Sequence, residues 1–391
     1  MADPWLHIVG IGEDGLDGLV PATRAVVEAA EVIIGGTRHH TLAGNAGAER
    51  IAWPSPFDAM IDVINGLRGR RVVILVTGDP LWFSVGARIG RAIDPKDIIY
   101  HPQLSAFQLA AARMGWSLPD VETLTVHGRP VEQMIAFIQP DARLLVLTTG
   151  AQTPAQIAAF LTMRGFGKSR MSVLAAMGGK DEARFDGTAE GWDHTVPAFN
   201  TLAVECIAAP DAALLPRVPG LADNLFQSDG TMTKQEVRAA TVAKLMPMRG
   251  ALLWDIGCGC GSVAIEWMRA ARYAQAIGIE PRAPRVKGIF IADSTGPQIA
   301  LRDLQQFAAP QQQIEHSLDC MTHGKARIRL EHCHQMCRCD GGMRQKSQHG
   351  RVPVVQTAGL FETGYLAENI KLHPGVQFCL EITHCDSLSK Q

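Results

Sequence analysis

Residues 251–280, ALLWDIGCGCGSVAIEWMRAARYAQAIGIE, decide how this chain is read. ALLWDI at 251–256 has the apolar run of a buried strand, and DIGCGCGS at 255–262 is a glycine-rich turn. Val263 to Ala271 then carries a helical pattern, and QAIGIE at 275–280 reads as the next strand. Together they form the start of a β-α-β unit. Gly257, Gly259 and Gly261 let the backbone approach a nucleotide-like ligand closely, and the following helix offers free N–H groups at its start. Glu280 ends the second strand, about twenty residues further on, where a carboxylate can accept both ribose hydroxyls. A tight strand-to-helix turn with no ligand is the alternative, and strand, helix and acid in register weigh against it. Cys258 and Cys260 within this turn read as small buried residues rather than metal or redox groups.

Upstream, Thr233 to Leu245 reads as a helix. Thr233 is the expected cap, and Glu236 three residues on completes a capping-box pattern. Residues 209–230, APDAALLPRVPGLADNLFQSDG, have the Pro, Ala and Asp content of a linker. Residues 1–208 are a separate α/β region. WLHIV at 5–9, EVII at 31–34, VVILV at 72–76, LLVLT at 144–148, MSVLA at 171–175 and LAVEC at 202–206 read as strands. Their continuous apolar character suits strands buried on both faces of a mainly parallel sheet. Pro21 to Ala30 has helical spacing with Pro21 at the helix start. Strands alternating with helices specify an α/β fold.

Three segments of this region carry candidate chemistry. VGIGEDGLDGL at 9–19 follows a strand but lacks both the GK[ST] of a phosphate loop and dinucleotide spacing. In VTGDPLWFSVGARI at 76–89, Asp79 stands at a strand's C-terminal end, where open α/β sheets bind ligands. Asp79 is a candidate catalytic or substrate-orienting group, with a plain turn role as the alternative. In HPQLSAFQLAAARMG at 101–115, Ser105 is the expected helix cap.

These segments, in this order and spacing, resemble the tetrapyrrole methylases, a class III methyltransferase fold of two α/β lobes with the cofactor between them. The resemblance covers about residues 5–208. It implies S-adenosylmethionine as cofactor, with Gly10, Gly12, Gly78, Asp79, Pro80, Ser84 and Ser105 around it. MGGKDEAR at 177–184 resembles a cofactor-contacting stretch, so Met177 packs on adenine or is an ordinary core methionine. IIGGTRHH at 33–40 and LTVHGR at 124–129 resemble members that methylate carbon 5 of a precorrin ring. His127 and Arg129 are then candidates for substrate carboxylates, since Arg suits bidentate carboxylate recognition. Ordinary surface roles are the alternative for them and for His39, His40 and His101.

The GxGxG turn preceded by Asp255 resembles the cofactor site of class I methyltransferases. With DGTMTKQEVRA at 229–239 it is similar to the precorrin module that methylates carbon 15 and decarboxylates the carbon-12 acetate. That resemblance places Met232, Thr233 and Lys234 beside the cofactor pocket, with Glu236 and Arg238 nearby. Lys234 either neutralises a substrate carboxylate as a catalytic group or is an exposed solubilising lysine. The whole implies a two-lobed class III fold over 1–208, a linker over 209–230 and a partial Rossmann-like class I domain over 231–282.

From about Ala283 the texture changes. Gln and His become frequent and the strand–helix rhythm weakens, so 283–391 reads as an atypical tail. A frameshift, an insertion or a fused unrelated segment would produce it and would leave the second module damaged; a divergent but working domain is the alternative. Its Cys333, Cys337 and Cys339 follow a C-x-x-x-C-x-C spacing without a second well-spaced pair, so no metal is expected.

The chain has 391 residues, enough for two domains. Its charge of −2 gives no electrostatic ground for nucleic acid or an acidic membrane as a partner. Nine cysteines, unevenly placed and with no export signal, suit reduced thiols in the cytoplasm. The expected partner is a carboxylate-rich tetrapyrrole substrate, and the expected assembly a homo-oligomer. Two further functions are weighed: carbon-5 methylation alone with a vestigial second module, and non-catalytic binding of a corrinoid or nucleotide.

Overall fold

A computed structural model describes residues 4–44, 47–212, 214–226, 228, 230–279, 353–356 and 378–379. The chain divides into two compact units, Met1–Leu214 and Leu215–Gln391.

The first unit has two sheets. In the first lobe, β1 (Leu6–Ile11), β2 (Val32–Gly35), β3 (Glu49–Ala52), β4 (Val72–Thr77) and β5 (Ile98–His101) form a sheet of order β3-β2-β4-β1-β5. Every pairing in it is parallel. The continuous apolar run of β4 is explained by its two faces. Val72, Ile74 and Val76 pack with Met60 and Ile64 of α3 (Met60–Asn65) and Ile89 of α4 (Gly86–Ala92). Val73 and Leu75 pack on the other side with Val27 of α1 (Pro21–Glu28) and with Ala43, which caps α2 (Thr37–Leu42). Pro21 opens α1, as expected of a proline at a first helical position. The chain fills positions on one side of β1 with β2, β3 and β4, then crosses to the other side with β5. Open α/β sheets bind ligands beyond the C-terminal strand ends where such a reversal occurs.

The second lobe holds β6 (Glu122–Thr125), β7 (Arg143–Leu147), β8 (Arg170–Ala175), β9 (Ala183–Thr188) and β10 (Asn200–Glu205) in the order β6-β7-β10-β8-β9. Here the expectation of a mainly parallel sheet is corrected. Only β6 and β7 are parallel, while β7–β10, β10–β8 and β8–β9 are antiparallel. The apolar runs of β8 and β10 reflect central position and coverage, not strand direction. Helix α5 (Ala106–Met114) covers this sheet, with Phe107, Ala110 and Ala111 against Leu145, Leu174 and Ala203. α5 starts directly after β5, so the first lobe's strand-end loop runs into a helix that packs on the second lobe.

The second unit contains α7 (Gln235–Leu245), β11 (Leu252–Ile256), α8 (Ser262–Ala270) and β12 (Gln275–Ile279). Helix α6 (Thr153–Met163) belongs to the first unit. Val242, Leu245, Leu253, Val263, Trp267, Met268 and Ala276 make the second unit's core. Two short strands from the tail, β13 (Pro353–Gln356) and β14 (Phe378–Cys379), extend this sheet to the order β12-β11-β13-β14, all parallel. The tail, whose texture suggests no alternating elements, thus supplies two strands. The sheet is Rossmann-like, with β11 flanked by strands that come before and after a change of direction.

Two local expectations change. The segment read as a linker is fastened to the second unit from residue 215 onward. Arg238 and Glu266 are fully buried and joined by Nε donating to Oε1 at 2.7 Å. Glu266 also accepts from the backbone N–H groups of Gly220 (2.5 Å) and Leu221 (3.0 Å), and Arg269 donates to the carbonyls of Leu215 (2.9 Å) and Pro216 (3.1 Å). The cap of α7 is Lys234, with no side-chain capping bond, rather than Thr233. Arg238 Nη1 takes the carbonyl of Thr233 at 2.6 Å, which holds that residue outside the helix.

Candidate functional site

In the first lobe three strand ends interlock through glycines. A Cβ on Gly10, near the end of β1, would stand 1.9 Å from the Gly78 carbonyl oxygen and 2.9 Å from Gln103 N and Cβ. Gly78 itself has φ +63°, and its Cβ position lies 2.9 Å from Ser105 Cα. The Gly78 N–H donates to Ile11 O at 3.2 Å, and Gln103 Nε2 donates to Gly18 O at 2.6 Å. Backbone of the β1, β4 and β5 ends therefore meets with no side chains between. Gly12 lies beside Asp14, whose Oδ1 is 2.5 Å from its Cβ position.

Asp79 follows Gly78 and is half-buried. Its Oδ1 accepts the Leu81 N–H at 2.7 Å, an Asx turn that shapes the loop. Pro80 is buried, with its carbonyl oxygen 2.2 Å from the Cβ position of Gly86, so glycine is required where α4 begins. Ser84 is half-buried one residue before the cap of α4. Ser105 caps α5 as expected: its Oγ accepts Gln108 N–H at 3.4 Å, and its own N–H donates to Gln108 Oε1 at 2.8 Å. Trp82 and Phe83 of the Asp79 loop touch Phe107 of α5, with ring centroids 5.1 and 5.8 Å apart, and so tie this loop to the second lobe.

Met177 is buried in the core beneath α5 with Phe107, Ala110 and Leu174. The turn after it approaches the glycine loop of the first lobe: a Cβ on Gly179 would lie 2.8 Å from Glu13 Cβ. His127 and Arg129 are exposed on a tight turn after β6, with Gly128 at φ +66°. Among the described residues no contact joins them to Asp79.

Arg38 and Thr77, which the sequence did not single out, join His39 at the same strand ends. Arg38 pairs with Glu13, donates to Thr77 Oγ1, and stacks on Phe199 with its guanidinium 4.1 Å from the ring centroid. His39 Nε2 lies 3.0 Å from Thr77 Oγ1, and its Nδ1 accepts the Gly36 N–H at 3.3 Å. Burial, then Arg38 and His40, push the His39 imidazole down to about 4. His101, at the end of β5, stacks on His7 with Nε2 3.0 Å from His7 Nδ1, and His40 Nε2 lies 3.2 Å from Ile51 O. In the sequence the signals for these residues are the histidine-rich IIGGTRHH segment and the VTGDP segment that contains Thr77.

In the second unit Gly257, Gly259 and Gly261 have φ of +79°, +55° and +74°. Three left-handed residues in five positions explain the glycine spacing, since only glycine adopts them without strain. Gly261 caps α8, and its N–H donates to Cys258 O at 2.7 Å. Among the described residues no atom comes within 4 Å of a Cβ placed on Gly259. Asp255 is buried at the end of β11, and Cys260 is buried while Cys258 is half-buried. Lys234 is exposed, with Nζ 3.9 Å from Asp223 Oδ2. Arg238 is buried and ion-paired with Asp223 and Glu266. Glu280 lies outside the described residues, as do Cys320, Cys333, Cys337, Cys339 and Cys385.

The first unit thus has two α/β lobes joined through α5, with the strand ends of the first lobe interlocked at glycines. Residues 5–192 match the family described as tetrapyrrole (corrin/porphyrin) methylases. Residues 224–313 match that described as a precorrin methyltransferase domain, a match that runs past the change of texture near residue 283. The chain is 41% identical over 291 residues to a precorrin-6Y C(5,15)-methyltransferase [decarboxylating] of Sinorhizobium sp, covering 74% of this chain and 70% of that one. It is 34% identical over 303 residues to a protein of the same description from Mycobacterium tuberculosis (strain CDC 1551 / Oshkosh), covering 75% of each. It also aligns with the crystal structure of a precorrin-6Y methylase from Archaeoglobus fulgidus at TM-score 0.42 and 24% identity, covering 52% of this chain and 98% of that one. The chain belongs to the precorrin-6Y C(5,15)-methyltransferase (decarboxylating) family.

Proposed function

We propose that this chain methylates precorrin-6Y at carbons 5 and 15 and removes the carboxyl of the carbon-12 acetate, in cobalamin biosynthesis. The observation that carries the reading is the order of two glycine-lined strand-end sites, one per unit, in a chain 41% identical over 74% of its length to a relative so described. S-adenosylmethionine supplies an electrophilic methyl group on its sulfonium. The reduced macrocycle is already an electron-rich carbon nucleophile, so the protein's task is proximity and alignment.

The residues divide that task. Gly10, Gly12, Gly78 and Pro80 bring backbone of three strand ends to the first site, and Ser84 and Ser105 stand at the two helix starts beside it. Asp79 holds its own turn with Oδ1 and keeps Oδ2 for a polar group of the substrate. Met177 supports the site from the second lobe's core, and exposed His127 and Arg129 meet peripheral carboxylates. In the second site Asp255, Gly257, Gly259, Gly261 and Glu280 hold the cofactor, with Thr233 beside it and Lys234 toward a substrate carboxylate. Among the described residues no helix is long and apolar enough to cross a membrane. The reading takes the protein as a cytoplasmic homo-oligomer that binds no nucleic acid.

Calorimetry with S-adenosylhomocysteine tests the proposal. Two sites per chain are expected. One site supports carbon-5 methylation with an inactive second module, and none overturns the methyltransferase reading in favour of a non-catalytic binder.

A further inference from the structure

We infer that Thr77 is an oriented hydroxyl donor for a carboxylate oxygen on the rim of the tetrapyrrole, with His39 and Arg38 as the residues that aim it. The inference rests on the reading of the first unit as a tetrapyrrole methylase, and deepens it by naming a substrate-recognising residue.

The argument is one of hydrogen-bond polarity. Thr77 ends β4, is exposed, and immediately precedes Gly78, Asp79 and Pro80. The Gly36 N–H can only donate, so His39 Nδ1 is the acceptor in their 3.3 Å contact. An imidazole with an unprotonated Nδ1 carries its proton on Nε2. Nε2–H therefore donates to Thr77 Oγ1 across 3.0 Å. Burial keeps this ring neutral at pH 7, so one of its two nitrogens is free to accept. Arg38 Nη2 has only donors and also bonds to Thr77 Oγ1.

A hydroxyl oxygen has two lone pairs and one proton. With both lone pairs filled by Arg38 and His39, Thr77 can act only as a donor. Among the described residues no acceptor takes its proton, and the residue is exposed at the end of β4. Arg38 is already matched by Glu13 and stacked on Phe199, so it polarises the hydroxyl without offering a free cation. Donation into an oxygen that also accepts a charge-assisted bond strengthens the O–H as a donor. What remains is one polarised donor of fixed direction beside the candidate methyl-transfer site. A carboxylate oxygen of the macrocycle is the complementary group.

The full-length chain tests this. Thr77→Val keeps shape and removes the hydroxyl. KM for precorrin-6Y should rise about ten- to a hundred-fold, the range for losing one hydrogen bond to a charged group. kcat should change less than about twofold, and S-adenosylhomocysteine affinity, read by calorimetry, should not change. Thr77→Ser should restore KM. His39→Leu should raise KM by a smaller factor, and adding it to Thr77→Val should do no further harm, because an aiming residue has no effect once the hydroxyl is gone. An unchanged KM in Thr77→Val overturns the inference. So does a loss of S-adenosylhomocysteine affinity with KM unchanged, which would assign the hydroxyl to the cofactor, or a full additive effect of His39→Leu. A wild-type chain that binds no S-adenosylhomocysteine overturns the methylase reading itself, and the inference with it.

Discussion

Replacing Gly10 by alanine adds one methyl group where three strand ends meet. That carbon would lie 1.9 Å from the Gly78 carbonyl oxygen, against an ordinary carbon–oxygen separation of about 3.3 Å. Roughly 1.4 Å must be found, and the atoms in the way are backbone or close to it. Gly78 is held by its bond to Ile11, and Gln103 by its bond to Gly18. Overpacking of this kind costs about 1–3 kcal/mol, and the upper end applies because no flexible side chain can yield. For a unit of this size, about 2–3 kcal/mol lowers the melting temperature by roughly 4–12 °C. The shift that relieves the clash opens the β1–β4 ends, so the first S-adenosylhomocysteine site should weaken at least about tenfold while the second is untouched. Gly150→Ala is the control, since nothing lies within 4 Å of its Cβ position. Differential scanning calorimetry and titration calorimetry read both effects. A Gly10→Ala protein that melts and binds as the Gly150→Ala protein does would refute the interlock.

Three other outcomes are expected. Arg238→Met leaves buried Glu266 without its partner and should destabilise the second unit by about 3–5 kcal/mol, whereas the double change Arg238→Met/Glu266→Leu should recover most of it; denaturant unfolding distinguishes them. His39 titrates near 4 when folded and near 6.5 when free, so the unfolded chain binds the proton first as pH falls. Its stability contribution is complete above about pH 6.5 and lost between there and about 4, worth roughly 1–2 kcal/mol after allowing for partial solvent screening. Unfolding curves of His39→Gln should therefore show a shallower acid loss than the parent; equal slopes would contradict this. Burial pushes the Cys206 thiol up to about 12, so iodoacetamide at pH 8 should leave it unlabelled in the native protein and label it after unfolding, as read by mass spectrometry.

Much of the architecture is written locally. The glycines at 257, 259 and 261 are legible because a left-handed backbone strongly favours glycine, and three such positions fall within five residues. Central strands such as β4 and β10 announce themselves because both of their faces are covered. In the first unit β3, β5 and β9, which were not read in advance, all lie at sheet edges. β9 alternates half-buried with exposed residues, and the Glu49–Ala52 strand is almost wholly exposed. Edge strands carry polar residues by necessity, so their sequences look like loops.

Other features depend on partners far away in the chain. Whether β8 and β10 run parallel or antiparallel is a matter of which neighbours they meet, and nothing within either strand records it. The Pro-rich stretch after residue 208 has linker composition, yet the buried Glu266 some forty-five residues later binds two of its N–H groups. Thr233 has the chemistry of a helix cap, but a buried arginine claims its carbonyl. Thr77 shows the limit most plainly. Its identity and its place before Gly78 are plain in the sequence, but its hydroxyl acquires a direction only when Arg38 and His39, from a helix beside another strand, fill both of its lone pairs. Residue types and local turns are set by the chain itself, whereas the direction of a polar group is set by the neighbours that folding brings to it.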